Sequence, residues 1–205
     1  MSTKPTPAPA VHIEFCIPNR EAFEIARAIF ADIPTIKVSN TSITAAQYST
    51  IISAGNSFGE MNGGIDGIIN TLLSAYTPAR YIQEDVKFVI NNKYMGELPV
   101  GTSIFVKTNH PRYTSLIYTP TMRVAENVST KLNAYLAFRS SLVTMIQHGI
   151  SYGSSPLFCT GAGAMSITKS CYQMKEAYLS IFNKSLLNGN WIIYHEHHRK
   201  LLNLT

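Results

Sequence analysis

Two glycine-rich stretches contain the residues whose types and spacing could do chemistry. The first, at residues 55–67, reads G-N-S-F-G-E-M-N-G-G-I-D-G, and the second, at 160–166, reads T-G-A-G-A-M-S. Glycine and asparagine tolerate positive φ angles and let another group come close to the main chain. Because exposed main-chain N–H groups in such loops attract anions, both stretches predict phosphate-binding loops.

Asp66 is the acidic residue at the end of the first stretch, where a helix is predicted to begin. Residues 65–73 have apolar side chains at helical spacing, so residues 62–66 should form the start of the helix. The first amides of a helix have no internal partner and lie at the positive end of its dipole, which favours a bound anion. A carboxylate there stabilises the helix start but competes with that anion, and helix rules alone leave its role open.

Strands that alternate with helices are predicted to position the two stretches. Apolar runs predict strands at residues 11–16, 36–38, 49–54, 102–107, 114–119, 155–160 and 190–196. Helical spacing predicts helices at residues 20–31, from 65 to about 76, from Pro78 onward, at 132–147 and at 169–187. This alternation favours a three-layer α/β/α sandwich with a mixed, largely parallel central sheet.

The predicted strands that end at Ala54 and near Cys159 lead directly into the two glycine-rich stretches. In open α/β sheets, ligands bind outside the carboxyl ends of the strands. If these two strands are neighbours, the stretches form opposite walls of one cleft. Two facing anion sites are suited to a diphosphate.

Composition and charge limit the classes of protein that the chain can represent. Its 205 residues, 45% of them apolar, suffice for one core, so we expect a flexible tail at residues 1–10 and one domain at 11–205. The net charge is +5, but no run of lysine and arginine is dense enough to follow a nucleic-acid backbone. No apolar stretch is long enough to span a membrane, and the N-terminus lacks the apolar core of a signal peptide.

The three cysteines, Cys16, Cys159 and Cys171, are odd in number and far apart in the sequence. This spacing argues against a disulfide framework and against a cysteine-rich zinc site, so an intracellular, cytoplasmic location is expected. Cys159, on a predicted buried strand, is expected to be a small core residue and not a nucleophile.

A histidine cluster near the C-terminus offers possible metal ligands. His195, His197 and His198, with Glu196 between them, have the spacing of ligands on a strand. A histidine cluster beside a chain end is more commonly a solvated segment. We therefore expect no metal site.

The segment G-N-S-F-G at 55–59 also matches the G-x-S-x-G pattern of serine hydrolases, with Ser57 as the nucleophile. His110, His148 or His195 could in principle act as its base. In that motif, however, the helix begins at the serine, whereas here residues 60–64 delay it. A serine hydrolase is therefore the more remote alternative.

Beyond these single features, the two stretches resemble the motifs of a known family. Residues 53–59 read S-A-G-N-S-F-G and residues 62–69 read N-G-G-I-D-G-I-I. They are similar to the first motif of macro domains, the ADP-ribose-binding α/β/α family, where an N-A-A-N-like turn precedes G-G-G-V-D-G-A-I. The stretch at 160–165 resembles the family's second glycine loop. P-V-G-T at 99–102 and T-P-T-M-R at 119–123 resemble a branch found in phage, viral and bacterial proteins, so the resemblance covers roughly residues 36–180.

The resemblance implies a role for each matching residue. The amides of Gly63, Gly64, Ile65 and residues 161–164 would bind the diphosphate, and Asn56 would bind the distal ribose. Asp66 matches the acidic residue that activates water or orients the ribose, and a carboxylate beside a diphosphate becomes more basic, as a general base requires. The full expected ligand-binding set is Ser42, Ile43, Ala54, Asn56, Phe58, Asn62, Gly63, Gly64, Ile65, Thr160, Gly161, Ala162, Gly163, Ala164 and Met165, with Asn56 and Asp66 as catalytic residues.

Three positions differ from the family pattern. Ser42 stands where many members have an aspartate that reads the adenine amine, and a hydroxyl can accept that hydrogen bond without the charge. Ala162 and Met165 stand near the place of an aromatic residue that shapes the distal ribose site.

Phe58, inside the first stretch, could pack on a ligand ring.

The resemblance implies a protein that binds ADP-ribose or a derivative. It would hydrolyse ADP-ribosyl ester or glycosidic linkages on an ADP-ribosylated protein or nucleic acid, or it would hydrolyse O-acetyl-ADP-ribose. No cofactor is implied, and a monomer is expected. The alternative is a non-catalytic module that reads ADP-ribose or a nucleotide.

Overall fold

The computed structural model describes residues 10–76, 81–183 and 190–203. Its strands are β1 (His12–Cys16), β2 (Ile36–Ser39), β3 (Thr50–Asn56), β4 (Ile104–Lys107), β5 (Ser115–Met122) and β6 (Tyr152–Ser155). Its helices are α1 (Arg20–Ile29), α2 (Gly64–Ser74), α3 (Ile82–Tyr94), α4 (Asn133–Gln147), α5 (Ile167–Phe182) and α6 (Trp191–Leu202), with a 3₁₀ turn at Ile43–Ala45.

One mixed sheet forms the centre of the molecule, in the strand order β2-β1-β6-β3-β5-β4. Among the described strands, four pairings are parallel, and only the edge strand β4 pairs antiparallel, with β5. The predicted α/β/α sandwich with a largely parallel sheet is confirmed. Because β3 and β6 are parallel neighbours, their carboxyl ends meet at the same edge of the sheet.

The two faces of the sheet build two separate cores, because successive side chains of a strand point to opposite faces. Ile52 of β3 and Ile117 of β5 pack in the core formed with α1, α4 and α5. Ile51 and Tyr118, one residue away on each strand, pack in the core formed with α2 and α3. Since both faces of β3 are covered, its sequence is apolar on both faces.

Glu14 is a buried carboxylate on β1 that fixes the strands around it. Its oxygens accept hydrogen bonds from the Ser39 hydroxyl (2.7 Å), the Gln47 amide (2.6 Å) and the Ser154 hydroxyl (2.9 Å). Burial alone would raise the pKa of Glu14, but these hydrogen bonds and the Lys37 ammonium outweigh it and lower the pKa. The charged carboxylate thereby joins β1 to β2, to β6 and to the segment that leads into β3.

Two predicted strands are wrong. The strand predicted at 155–160 lies earlier in the chain, as β6 at Tyr152–Ser155. It ends at Ser155 because Pro156 has no N–H group to continue the ladder. Cys159 is therefore not on a strand; it is buried in the loop after β6, at φ +62°.

The strand predicted at 190–196 is the helix α6. The Asn190 side chain caps this helix by accepting a hydrogen bond from the Ile192 amide at 2.9 Å. His197 and Leu201, four residues apart, are its buried residues. The apolar run at the start of this helix was therefore mistaken for a strand.

Several predicted boundaries fall outside the described part of the chain. Pro78, where a helix was predicted to restart, is one of these residues, and α3 is described from Ile82. The last residues of the helix predicted at 169–187 are also outside it, and α5 is described to Phe182. No helix within the described ranges is long and apolar enough to cross a membrane.

Candidate functional site

A cavity of about 590 Å³ lies at the carboxyl ends of β3 and β6. Its first wall is formed by the end of β3 and the start of α2, and its second wall by the loop between β6 and α5. The start of α1 and the 3₁₀ turn close the side towards β1. The two strands are neighbours, as the predicted cleft requires.

The start of α2 presents bare main chain to the cavity. Gly63 is the N-cap residue, and no side chain caps the helix. A Cβ atom at Gly63 or Gly64 would meet no atom within 4 Å, and Gly64 has φ +55°, which favours glycine. The first amides of α2 are therefore open to a ligand at the positive end of the helix dipole.

Asn56 organises the loop between β3 and α2. Its Oδ1 accepts hydrogen bonds from the amides of Phe58 (3.1 Å) and Glu60 (3.2 Å), and its Nδ2 donates to the Glu60 carbonyl (2.7 Å). The Tyr118 hydroxyl accepts from the Asn56 amide (3.0 Å) and donates to its carbonyl (2.8 Å). A Cβ atom at Gly55 would lie 2.3 Å from that hydroxyl, so this position requires glycine. One N–H of the Asn56 side chain is left for a ligand.

Asp66, in the first turn of α2, lines the cavity although only 6% of its surface is exposed. Its Oδ1 accepts a hydrogen bond from the hydroxyl of Ser53, which is fully buried on β3. Burial raises the pKa of Asp66 to about 6, and the Ser53 hydrogen bond acts in the opposite direction. The cavity therefore contains a carboxyl group whose pKa is raised well above the ordinary value of an aspartate.

The second wall is held together by its own main chain. The Ala164 amide donates to the Gly161 carbonyl (2.9 Å), and the Met165 amide donates to the Cys159 carbonyl (3.0 Å). A Cβ atom at Gly163 would lie 2.6 Å from the Cys159 carbonyl oxygen, so glycine is needed there for packing. At Gly161, by contrast, a Cβ atom would meet nothing within 4 Å.

No protein-family model and no curated protein matches the chain. Solved structures do match it. The Oceanobacillus iheyensis macrodomain with ADP aligns with a TM-score of 0.58 and 19% identity, over 78% of this chain and 88% of that one. The macrodomain of Mycobacterium tuberculosis DarG gives 0.56 and 14%, over 72% and 89%. Thermosipho africanus DarTG in complex with ADP-ribose gives 0.51 and 12%, over 81% and 50%. The chain has the macrodomain fold.

Within this macrodomain fold, the cavity brings together most of the residues singled out from the sequence. Phe58, Ala164 and Met165 lie outside its lining. Phe58 is 36% exposed and packs under the Arg123 guanidinium at 5.0 Å, while Met165 is 3% exposed and belongs to the core. The expected residues that do line the cavity are Ser42, Ile43, Ala54, Asn56, Asn62, Gly63, Gly64, Ile65, Asp66, Thr160, Gly161, Ala162 and Gly163.

Sequence reasoning missed the lining at the carboxyl end of β1. Cys16, Ile17, Pro18 and Asn19 line the cavity there, next to Ser42. Because β1 is parallel to β6, its carboxyl end lies at the same edge of the sheet, so the strand order would have identified these residues.

Ser53 was also missed, although it touches Asp66. The sequence does give a signal for Ser53, because it is a polar residue inside the apolar run of β3. It lies two residues from Ile51 and therefore on the same face of the strand. A hydroxyl on the face that α2 covers needs a partner, and the first turn of α2 supplies one.

Ser57 and the cysteines do not form a nucleophilic site in the macrodomain fold. Ser57 is 1% exposed, and no hydrogen bond joins it to a histidine anywhere in the described ranges. Burial raises the pKa of the Cys159 thiol to about 12, which keeps it protonated. The three histidines considered as a base for Ser57 have other neighbours: His110 packs on Tyr113, His148 on Phe105 and His195 on Trp191.

The C-terminal histidines lie on α6, so the strand spacing assumed for metal ligands does not exist. His195, Glu196 and His198 are exposed on this helix, and His197 is buried against Glu176. Among residues 10–76, 81–183 and 190–203, no group of three histidine, cysteine or acidic side chains is placed to hold a metal ion.

Proposed function

We propose that the chain binds ADP-ribose or a close derivative in the cavity between β3 and β6. The observation that carries this proposal is the pair of main-chain walls on neighbouring parallel strands, one of them an uncapped helix start. It is supported by the similarity to solved macrodomain structures in complex with ADP or ADP-ribose.

The diphosphate would be bound mainly by the main chain. The described lining of the cavity contains no lysine or arginine, so the amides of residues 63–65 and 161–163 would supply the donors. Glu60 also lines the cavity, but the Lys87 ammonium lies 2.5 Å from its carboxylate and balances its charge. The helix dipole of α2 then provides the net attraction for the anion.

We further propose that the protein removes ADP-ribose from an acceptor. Asp66 would take a proton from water as the water oxygen attacks the anomeric carbon of the distal ribose, and the acceptor would leave with the electrons of the broken bond. The raised pKa of Asp66 makes its carboxylate basic enough for this step at neutral pH. The free N–H of Asn56 would donate to a ribose hydroxyl and hold the sugar near Asp66.

A non-catalytic reader is the second candidate. The observation that favours it is the burial of Asp66, whose Oδ1 already accepts the Ser53 hydrogen bond and whose side chain is 6% exposed. A reader would use the same cavity to recognise an ADP-ribosylated protein or nucleic acid. Wild-type protein that binds ADP-ribose and releases none from ester, serine or nucleic-acid linkages would support the reader.

Calorimetric titration with ADP-ribose, ADP and NAD tests the binding proposal. Gly64→Glu places bulk and negative charge at the bare helix start, so we expect it to abolish measurable ADP-ribose binding. Gly149→Glu is a matched control, because Gly149 also has positive φ (+66°), an open Cβ position and no place in the cavity lining. If Gly64→Glu binds as tightly as Gly149→Glu, the ligand site is elsewhere.

A further inference from the structure

A second cavity, of about 290 Å³, lies beside the edge strand β4, and we call it the Arg139 pocket. One face of α4 and the segment before β4 form its walls, with the last residue of α3 on a third side. Its lining is Tyr94, Gly101, Thr102, Ser103, Leu136, Arg139, Ser140, Val143, Thr144 and Gln147. None of these residues lines the cavity between β3 and β6.

Four side chains in the Arg139 pocket have hydrogen-bond donors without partners. The Arg139 guanidinium, the Tyr94 and Thr102 hydroxyls and the Gln147 amide form no hydrogen bond or ion pair with another residue of the described ranges. Arg139, Tyr94 and Thr102 are half-buried and Gln147 is exposed, so their donors are reached by water and are free to bind a ligand. A guanidinium has five N–H donors, and here none of them is used by a neighbouring side chain or carbonyl of the described ranges.

The floor of the pocket is polar but already satisfied. The Ser140 hydroxyl donates to the Ala137 carbonyl at 2.8 Å, so in its 2.6 Å contact with Ser103 it accepts. Ser103 also lies 2.8 Å from the Thr119 hydroxyl, and its carbonyl accepts from Thr144 at 3.4 Å. This buried hydroxyl network fixes the floor and leaves binding to the unpaired donors at the rim.

The charge in the pocket is one-sided, because no aspartate or glutamate is part of its described lining. Arginine presents its donors in a planar fork that matches the two oxygens of a carboxylate or phosphate group. The neutral donors of Tyr94, Thr102 and Gln147 can supply hydrogen bonds to the remaining oxygens. We propose that the Arg139 pocket binds a small oxyanion, such as a phosphate or carboxylate group of a partner molecule.

Titration of the whole protein with inorganic phosphate, followed by NMR at constant ionic strength, tests this proposal. We expect saturable shifts of the Arg139 Nε–H signal and of the amides of residues 101–103. Arg139→Met keeps the length of the side chain without the charge, and it should weaken this phosphate binding by at least about tenfold. Arg27→Met is the control, because Arg27 is exposed and pairs with Glu24 at 2.8 Å on α1.

A parallel titration with acetate separates the two ligand sources. If only phosphate saturates the Arg139 pocket, its ligand is a phosphate group. If phosphate and acetate saturate it equally, the pocket accepts any small oxyanion. Thr102→Val removes one unpaired hydroxyl at the rim and should weaken binding without unfolding the protein. Equal phosphate affinity in Arg139→Met and Arg27→Met, or shifts confined to residues 63–65 and 161–163, would overturn the proposal.

Discussion

The two loops that form the cavity belong to two strand–loop–helix units that start their helices differently. In the β3–α2 unit, the N-cap is Gly63, no side chain caps the helix, and Asp66 follows in the first turn. In the β6–α5 unit, the N-cap is Ser166, whose hydroxyl accepts from the Lys169 amide at 3.2 Å, and the first turn has no acid. The same topology thus produces one open and one closed helix start.

This difference separates what a loop needs for folding from what it needs for a ligand. A side-chain cap stabilises a helix, so its absence at α2 leaves donors that only a ligand or water can satisfy. At α5 the Ser166 hydroxyl satisfies one amide of the helix start, and the loop before the helix lines the cavity together with Ile167. We infer that α2 contributes the helix dipole and the acid, whereas the β6–α5 loop contributes main-chain contacts.

Asp66→Ala should have the largest effect, because Asp66, the proposed general base, belongs to the β3–α2 unit and the β6–α5 unit has no counterpart in its first helical turn. We expect release of ADP-ribose from a modified protein to fall by about 10²–10⁴-fold, the usual range for loss of a general base. Binding of free ADP-ribose should persist, since the amides remain. Single-turnover release assays and calorimetry measure the two quantities separately. Parallel loss of binding and release would mean that Asp66 acts in binding.

Ser53→Ala should have the next largest effect, on the pH dependence of release. The Ser53 hydrogen bond opposes the rise in the pKa of Asp66, so its loss should raise that pKa further above about 6. A general base must be deprotonated, so release rises with pH through the pKa, and the midpoint should move to higher pH. One net hydrogen bond of about 1.4 kcal/mol corresponds to about one pH unit.

The stability of the protein gives an independent readout of the same carboxyl group. Because the pKa of Asp66 is higher in the folded than in the unfolded chain, its protonated form stabilises the fold at low pH. That contribution is lost as the pH rises towards 6. Urea unfolding of wild type and Asp66→Asn between pH 4 and 7 should show this loss in wild type alone. Ser53→Ala should extend the loss to higher pH, and an unchanged profile would separate Ser53 from Asp66.

The sequence predicted the β3–α2 unit better than the β6–α5 unit, for physical reasons. In the β3–α2 unit, the apolar run indicated only a strand, and the spacing from Ile65 onward indicated only a helix. At β6, the strand is only four residues long and contains Gly153, Ser154 and Ser155, so the apolar residues after Pro156 were taken for it. Those apolar residues belong to the loop itself and are buried there, as Cys159 shows.

Contacts between distant segments account for the rest of what the sequence did not reveal. The pairing of Ser53 with Asp66 depends on how α2 folds back on β3, and the lining near Ile17 depends on the strand order. The helix α6 needed recognition of Asn190 as a cap, and its buried face has only His197 and Leu201. Periodicity alone is a weak signal when so few positions of a helix are buried.

The smallest predicted effects come from exchanging the two helix starts. Ser166→Ala removes the cap of α5 and should lower the free energy of unfolding by about 1 kcal/mol, with little change in ADP-ribose affinity. Gly63→Ser adds a possible cap to α2, at an extended φ of −148° and with no atom near its Cβ position. It should stabilise the protein by a few tenths of a kcal/mol.

Gly63→Ser should nevertheless weaken ADP-ribose binding several-fold, because the new hydroxyl would accept a hydrogen bond from an amide that the diphosphate needs. Urea unfolding and calorimetry on both variants therefore test the comparison from opposite sides. Higher stability together with lower ADP-ribose affinity in Gly63→Ser would show that the uncapped start of α2 favours ligand binding at the expense of stability. If affinity is unchanged, the amides of α2 are not ligand donors, and the two units differ only in how they fold.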